Sequence, residues 1–195
     1  MHNNFLISGY GRSGTKFLSS IMNTSKKWTV LHEPRGSFEE DQYWNNKPIP
    51  EKVKSDFNRN YYGEVNSRLR FYFKELNVSK KGIIIREPKD IILSVCNRGK
   101  SKEDILLTIR VLNDYYNKFI EWTKESTFFK IDFAKMTSDV SYLNSILQYF
   151  GIDDVIIDNK IIKIKINENL QRNIIYKSFE DIPNEFKDEY FKLKW

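Results

Sequence analysis

The sequence predicts an α/β fold: a largely parallel central sheet with helices packed on both sides. Three observations carry this. Short strand-like runs alternate with segments whose apolar residues recur at helical spacing. The best strand-like runs, residues 4–8 and 82–86, are continuously apolar rather than alternating, as expected of strands buried on both faces. The first run stops at a glycine-rich turn, Gly9-Tyr10-Gly11-Arg12-Ser13-Gly14, and helical spacing begins at once after it.

Taken in order, residues 4–8 read as a buried strand and residues 15–22 as a helix, with Phe17, Leu18, Ile21 and Met22 on one side. Residues 28–31 form a second short strand that ends at His32-Glu33-Pro34-Arg35. Residues 36–58 mix aromatics, prolines and charges without a period and read as a long ordered loop with a helical turn. Residues 60–76 read as a helix through Val65, Leu69, Phe73 and Leu76. Residues 82–86 are a β-branched strand, and Pro88 opens a helix that Gly99 closes. A longer helix covers residues 102–124, a strand 127–133, and a helix 138–150 capped by Gly151. Residues 155–166 have the β-branched composition of one or two strands, and residues 184–195 end the chain as a helix.

The 195 residues, 40% hydrophobic and 30% charged, fit one globular domain spanning 1–195. No apolar run reaches the roughly 18–20 residues of a membrane span. The first residues lack the basic flank and apolar stretch of a secretory signal, and the single Cys96 excludes an internal disulfide, so a cytoplasmic location is expected. The 32 basic residues against 26 acidic ones give a net charge of +6, which suits an anionic ligand. No arginine-rich arm, zinc-finger spacing or RNP-like motif appears, so no nucleic-acid partner is expected.

A strand, a glycine-rich turn and a helix start together hold phosphate, because the loop N–H groups point inward and the helix dipole favours an anion. The register here is not that of an ATP or GTP loop. Gly9 and Gly14 have the Walker spacing, but Thr15 stands where the Walker lysine belongs and Lys16 where the metal-binding hydroxyl belongs. A cation at that second position repels Mg²⁺, and no apolar strand ends in a Walker-B carboxylate; the best strand ends in Arg86. In a parallel sheet, ligands bind beyond the carboxyl ends of the strands, which places the 9–16 loop, residues 32–35 and residues 86–88 on one rim. Arg86 at a strand end and Ser94 two helical turns later can together hold a second phosphate.

These two segments resemble the sulfotransferase superfamily. Gly11-Arg12-Ser13-Gly14-Thr15 is similar to the loop that binds the 5′-phosphosulfate of 3′-phosphoadenosine 5′-phosphosulfate (PAPS). Arg86-Glu87-Pro88-Lys89-Asp90, with Ser94 following, resembles the segment that binds its 3′-phosphate. Phe129-Lys130-Ile131-Asp132-Phe133 and the later Leu147-Gln148-Tyr149-Phe150-Gly151-Ile152 resemble the family's next strand and helix, so the likeness runs from about residue 4 to 152. It implies a P-loop-like three-layer fold of microbial or viral type. It also implies PAPS as co-substrate, adenosine 3′,5′-bisphosphate (PAP) as product, no metal, and a carbohydrate or small-molecule acceptor.

On this resemblance, Gly11, Arg12, Ser13, Gly14, Thr15 and Lys16 bind the 5′-phosphate end, Arg86 and Ser94 the 3′-phosphate, and Arg12 stabilises the leaving group. Glu33 is the expected base, with His32 as the alternative; Glu33 could instead only pair with Arg35 or Arg12. Arg35 is a weaker candidate for orienting an acidic acceptor, and Asp90 pairs locally. Cys96 reads as a small core residue, and the aromatics between 38 and 73 as core or as an acceptor wall. The cytosolic branch's Arg-Lys-Gly signature is missing, leaving Lys165 and Arg172 as candidates for further donor contacts. The competing readings are a P-loop nucleotide or small-molecule kinase with a degenerate loop, and a non-catalytic binding protein on the same fold.

Overall fold

The computed structural model describes residues 3–38, 47–162 and 174–195. Its centre is a five-stranded sheet in the order β2-β3-β1-β4-β5, and every pairing is parallel. The strands are β1 Asn4–Gly9, β2 Thr29–Leu31, β3 Tyr62–Val65, β4 Lys80–Ile85 and β5 Phe128–Asp132. The helices are α1 Thr15–Met22, α2 Glu51–Phe57, α3 Pro88–Cys96, α4 Lys102–Trp122, α5 Phe133–Met136, α6 Val140–Phe150, α7 Asn159–Ile162 and α8 Asn184–Lys192, with short 3₁₀ turns at Arg68–Tyr72 and Phe179–Asp181.

Successive strand side chains point to opposite faces, so each strand feeds two cores. Phe5, Ile7, Ile84 and Ile131 pack under α1 and α6 with Leu18, Met22, Leu143 and Leu147. Leu6 and Ile83 face the other way, onto Val53 and Phe57 of α2, Leu69 and Tyr72 of the first 3₁₀ turn, and Tyr115 and Phe119 of α4. A third cluster joins α3, α4 and α8 through Ile92, Ile109 and Phe186. Phe5, Leu6 and Ile7 are fully buried; each such side chain contributes on the order of 1.5–3 kcal/mol by leaving water. The helix ends are closed as their sequences suggest: Ser101 accepts from Asp104 N–H, Asp139 from the N–H groups of Ser141 and Tyr142, and Gly151 takes the left-handed conformation.

Three expectations are corrected. Residues 60–76 are not one helix but β3 followed by a 3₁₀ turn. Val65 ends the strand and Leu69 lies in the turn, so a three-to-four-residue apolar spacing arises without a continuous helix. Residues 36–58 contain a defined helix, α2; the carbonyl of Pro50 accepts from the N–H groups of Val53 and Lys54 and starts it. Residues 155–162 form no strand: Asp158 accepts from Lys160 N–H at 2.7 Å and turns the chain into α7. The remainder of the proposed strand region, from 163 to 166, lies outside the described residues.

Because all five strands run the same way, the segments that follow them lie along one edge. The strand order puts the exit of β3, residues 66–67, between the loop after β1 and the turn after β2.

Candidate functional site

The loop after β1 is held open by its own backbone. Ser13 N–H donates to the Tyr10 carbonyl at 3.1 Å, and Arg12 and Gly14 take positive φ values of 74° and 88°. Gly14 caps α1 without a side-chain hydrogen bond, and no acidic residue sits in the first turn, so the N–H groups there are left for an anion. Two close approaches require glycine. A Cβ on Gly9 would lie 2.5 Å from Ser13 Oγ and 3.0 Å from the Ile84 carbonyl oxygen, and one on Gly14 would lie 2.7 Å from the Phe133 ring. Ser13 Oγ and Arg86 Nε are buried and make no hydrogen bond. Buried polar atoms of this kind normally have partners, and two of them beside an uncapped helix start fit an anion cradle.

Arg86 leaves the end of β4 and donates from Nη1 to the Arg12 carbonyl oxygen at 2.6 Å, with its guanidinium 4.3 Å from the Phe133 ring centre. Arg12 Nε donates to Ser94 Oγ at 3.0 Å. The Arg12 side chain is therefore aimed at Ser94, so residues assigned to the two ends of the donor are direct neighbours. Burial pulls the Arg12 guanidinium pKa down, and the nearby charges of Arg98 and then Arg86 add to this. Burial also lowers that of Arg86, and the charge of Asp90 opposes this. Both guanidiniums remain charged. Arg98 was not singled out by the sequence; it is exposed beyond the end of α3 and adds to the positive field around Arg12.

The turn after β2 meets the same loop. His32 Nε2 lies 3.2 Å from Thr15 Oγ1. Burial holds the His32 pKa below its ordinary value; Glu33 opposes this, while Lys16 and Arg68 reinforce it, so the ring is neutral near pH 7. Lys16 itself is exposed. Glu33 takes a positive φ of 45°, accepts a hydrogen bond from Ser67 Oγ, and lies 3.5 Å from Arg68 Nε and 3.9 Å from His32 Nε2. Its ion-pair partner is thus Arg68 rather than Arg35 or Arg12.

Arg35 does not reach toward an acceptor. Its side chain is 6% exposed and turned inward, bonded to Asp56 at 2.7 Å and to both carboxylate oxygens of Glu64 at 2.7 Å. Glu64, Asn66, Ser67 and Arg68 were missed by sequence reasoning; the one available signal was a carboxylate inside an otherwise apolar four-residue strand. Cys96 is core, and burial pushes its thiol up to about 11. Lys165 and Arg172 lie outside the described residues. The chain beyond them is docked at the end of α3, where the Asn97 side chain accepts from the N–H groups of Ile175 and Tyr176 and donates to the Tyr176 carbonyl, each at 2.9 Å.

Among the described residues, no group of three or more His, Cys, Asp or Glu side chains is placed to hold a metal ion, and no helix is long and apolar enough to cross a membrane. An open cavity of about 260 Å³ lies at the opposite edge of the sheet, lined by Asn4, Trp28, Tyr61, Lys80 and Phe150; it contains none of the residues of the rim.

No protein-family model matches the chain, and no curated protein sequence matches it. Solved structures do. The mouse sulfotransferase SULT7A1 complexed with PAP superposes with a TM-score of 0.58 at 15% identity, covering 97% of this chain and 81% of its own. The sulfotransferase STF1 from Mycobacterium tuberculosis gives 0.54 at 11% identity, covering 99% and 77%. The sulfotransferase domain of a Synechococcus olefin synthase gives 0.53 at 10% identity, covering 100% and 89%. The all-parallel sheet with its flanking helices is thus an α/β fold that the chain shares with these sulfotransferase structures.

Proposed function

We propose that the protein is a PAPS-dependent sulfotransferase that moves a sulfuryl group to a hydroxyl or amine of a carbohydrate or small molecule without a metal ion. The observation that carries this reading is the convergence of two anion seats on one rim: the uncapped start of α1 with its glycine loop, and Arg86 with Ser94, joined through Arg12. PAPS carries phosphate at both its 5′ and 3′ ends, and the mouse structural neighbour was determined with PAP.

In this reading the acceptor oxygen attacks sulfur while the bond from sulfur to the 5′-phosphate oxygen breaks, and PAP leaves. By analogy with phosphoryl transfer the transition state is loose, and charge builds on the leaving oxygen. The loop N–H groups and the permanent charge of Arg12 stabilise it. Glu33 takes the proton from the acceptor; His32, neutral near pH 7, is the alternative base. Thr15 and Lys16 add a hydroxyl and a charge at the 5′-phosphate, and Arg86 and Ser94 hold the 3′-phosphate.

Calorimetry with PAP, AMP and ATP·Mg²⁺, together with transfer of radiolabelled sulfate from PAPS to a panel of glycans and phenols, tests this. PAP is expected to bind more tightly than AMP, which lacks the 3′-phosphate, and sulfate to move. Binding of ATP·Mg²⁺ without PAP would replace this reading with a kinase. PAP binding without transfer to any acceptor would leave a binding protein.

A further inference from the structure

We propose that Glu64, inside β3, is a positioning residue that acts through Arg35 to hold Glu33 at the anion loop; this rests on the proposed role of Glu33 as base. Glu64 is completely buried, yet it sits in a strand at the functional edge of the sheet. Both of its oxygens accept from Arg35 at 2.7 Å, and it also receives Tyr62 Oη at 2.6 Å and Asn66 Nδ2 at 2.8 Å. Arg35 reaches Asp56 as well. Taking two charges out of water is costly, and a buried ion pair is often no more stabilising than apolar residues of the same volume. Stability alone is therefore a poor reason for a carboxylate at this position.

Geometry supplies a better one. Arg35 stands two residues after Glu33 in a turn closed by Gly36 N–H on the Glu33 carbonyl at 3.1 Å and Phe38 N–H on the Arg35 carbonyl at 3.3 Å. Glu33 itself is left-handed, a conformation that a residue with a Cβ keeps only when its surroundings impose it. The segment that follows Glu64 grips both halves of the site. Asn66 N–H donates to the Ile7 carbonyl at 2.8 Å and Ser8 Oγ to the Asn66 carbonyl at 2.9 Å, which fixes this segment to the strand leading into the anion loop. Ser67 Oγ donates to Glu33 itself. Residues 64–67 thus set the distance between the loop after β1 and the turn after β2.

The test compares the full-length protein with Glu64→Gln and, because a buried substitution can fail to fold, with Arg35→Lys at the other end of the contact. Both are expected to bind PAP as the wild type does, and the amides of Gly36 and Phe38 to exchange with solvent at least ~10-fold faster while those of β4 stay unchanged. Conversion of PAPS and water to PAP and sulfate should fall by about 10–100-fold for Glu64→Gln, the penalty for a misplaced catalytic group, with Arg35→Lys intermediate. In a Glu33→Gln background the same substitutions should cost less than about twofold more. Unchanged exchange at Gly36 and Phe38, faster exchange across the whole sheet, or a loss that multiplies with that of Glu33→Gln would each overturn the proposal. A wild type that fails to bind PAP sinks the donor reading instead, and the exchange comparison still decides whether Glu64 holds the turn.

Discussion

The Arg86 guanidinium donates to the Arg12 carbonyl oxygen across 2.6 Å, tying the exit of β4 to the middle of the anion loop, while Arg86 Nε stays buried without a partner. One side chain thus shapes the loop and keeps a donor in reserve. Arg86→Ala is expected to weaken PAP binding by about 1.5–3 kcal/mol, or roughly 10–150-fold, the range for hydrogen bonds to charged groups. AMP affinity should change much less if, as proposed, the lost contact is with the 3′-phosphate that AMP lacks. Arg86→Lys keeps the charge but not the planar fork and should lie between the two. Calorimetric titration of the three proteins with both nucleotides checks this; unchanged PAP affinity removes Arg86 from the site.

The glycines of the loop differ in what they tolerate. At Gly9 a methyl group would meet Ser13 Oγ at 2.5 Å and the fixed Ile84 carbonyl at 3.0 Å. Gly9→Ala should cost about 1–3 kcal/mol of stability, as overpacking does, and lower Tm by roughly 2–12 °C for a chain of this size. At Gly11 a Cβ meets nothing within 4 Å, and its φ is not positive. Gly11→Ala should therefore leave stability within about 0.5 kcal/mol of the wild type. A fall in PAP affinity without a fall in Tm would show that the ligand covers Gly11. Thermal melts with and without PAP separate the two effects.

How much of this was legible follows from whether a signal is local. The anion loop, β1, β4 and α3 announce themselves in a few adjacent residues: a glycine turn after an apolar run, or a proline after a β-branched one. The meeting of the 9–16 loop, residues 32–35 and residues 86–88 followed from the parallel-sheet rule, and the contacts Thr15–His32 and Arg86–Arg12 bear it out. β3 was not legible. Gly63 and Glu64 are poor strand formers, and this segment is a strand because β1 and β2 flank it. Missing β3 hid the Arg35–Glu64 contact and the Ser67–Glu33 contact with it, because both depend on β3 lying beside β2. The inward turn of Arg35 is thus a consequence of strand order, which no local pattern in residues 32–35 encodes.

His32 gives the site a pH signature in stability. Burial holds its pKa below the ordinary 6.5, so the folded protein resists taking a proton that the unfolded chain accepts. The contribution of the neutral ring is fully present above the unfolded pKa of about 6.5 and is lost as pH falls from there toward the depressed folded value. His32→Gln removes this linkage. Urea midpoints measured at pH 7.5 and 5.5 should therefore fall less on acidification for the variant than for the wild type. An equal or larger fall in the variant would mean that His32 titrates normally in the folded protein.

Glu33 and His32 compete for one role, and their surroundings predict the winner. His32 Nε2 is engaged with Thr15 Oγ1 on the side of the donor, which suits a ring that orients the loop. Glu33 is 21% exposed on its side chain, keeps access to solvent, accepts from Ser67 Oγ on one oxygen and has Arg68 Nε at 3.5 Å from the other, which steady its position. Glu33→Gln preserves shape and the contact with Ser67 but cannot take a proton. PAPS turnover is expected to fall by about 10²–10⁴-fold, the usual contribution of a positioned base, with PAP affinity unchanged because no donor contact is lost. His32→Gln should fall less and should weaken PAP binding through Thr15. If instead Glu33→Gln turns over as the wild type does while His32→Gln loses the larger factor, the imidazole is the base and the Glu33 carboxylate is not required for turnover.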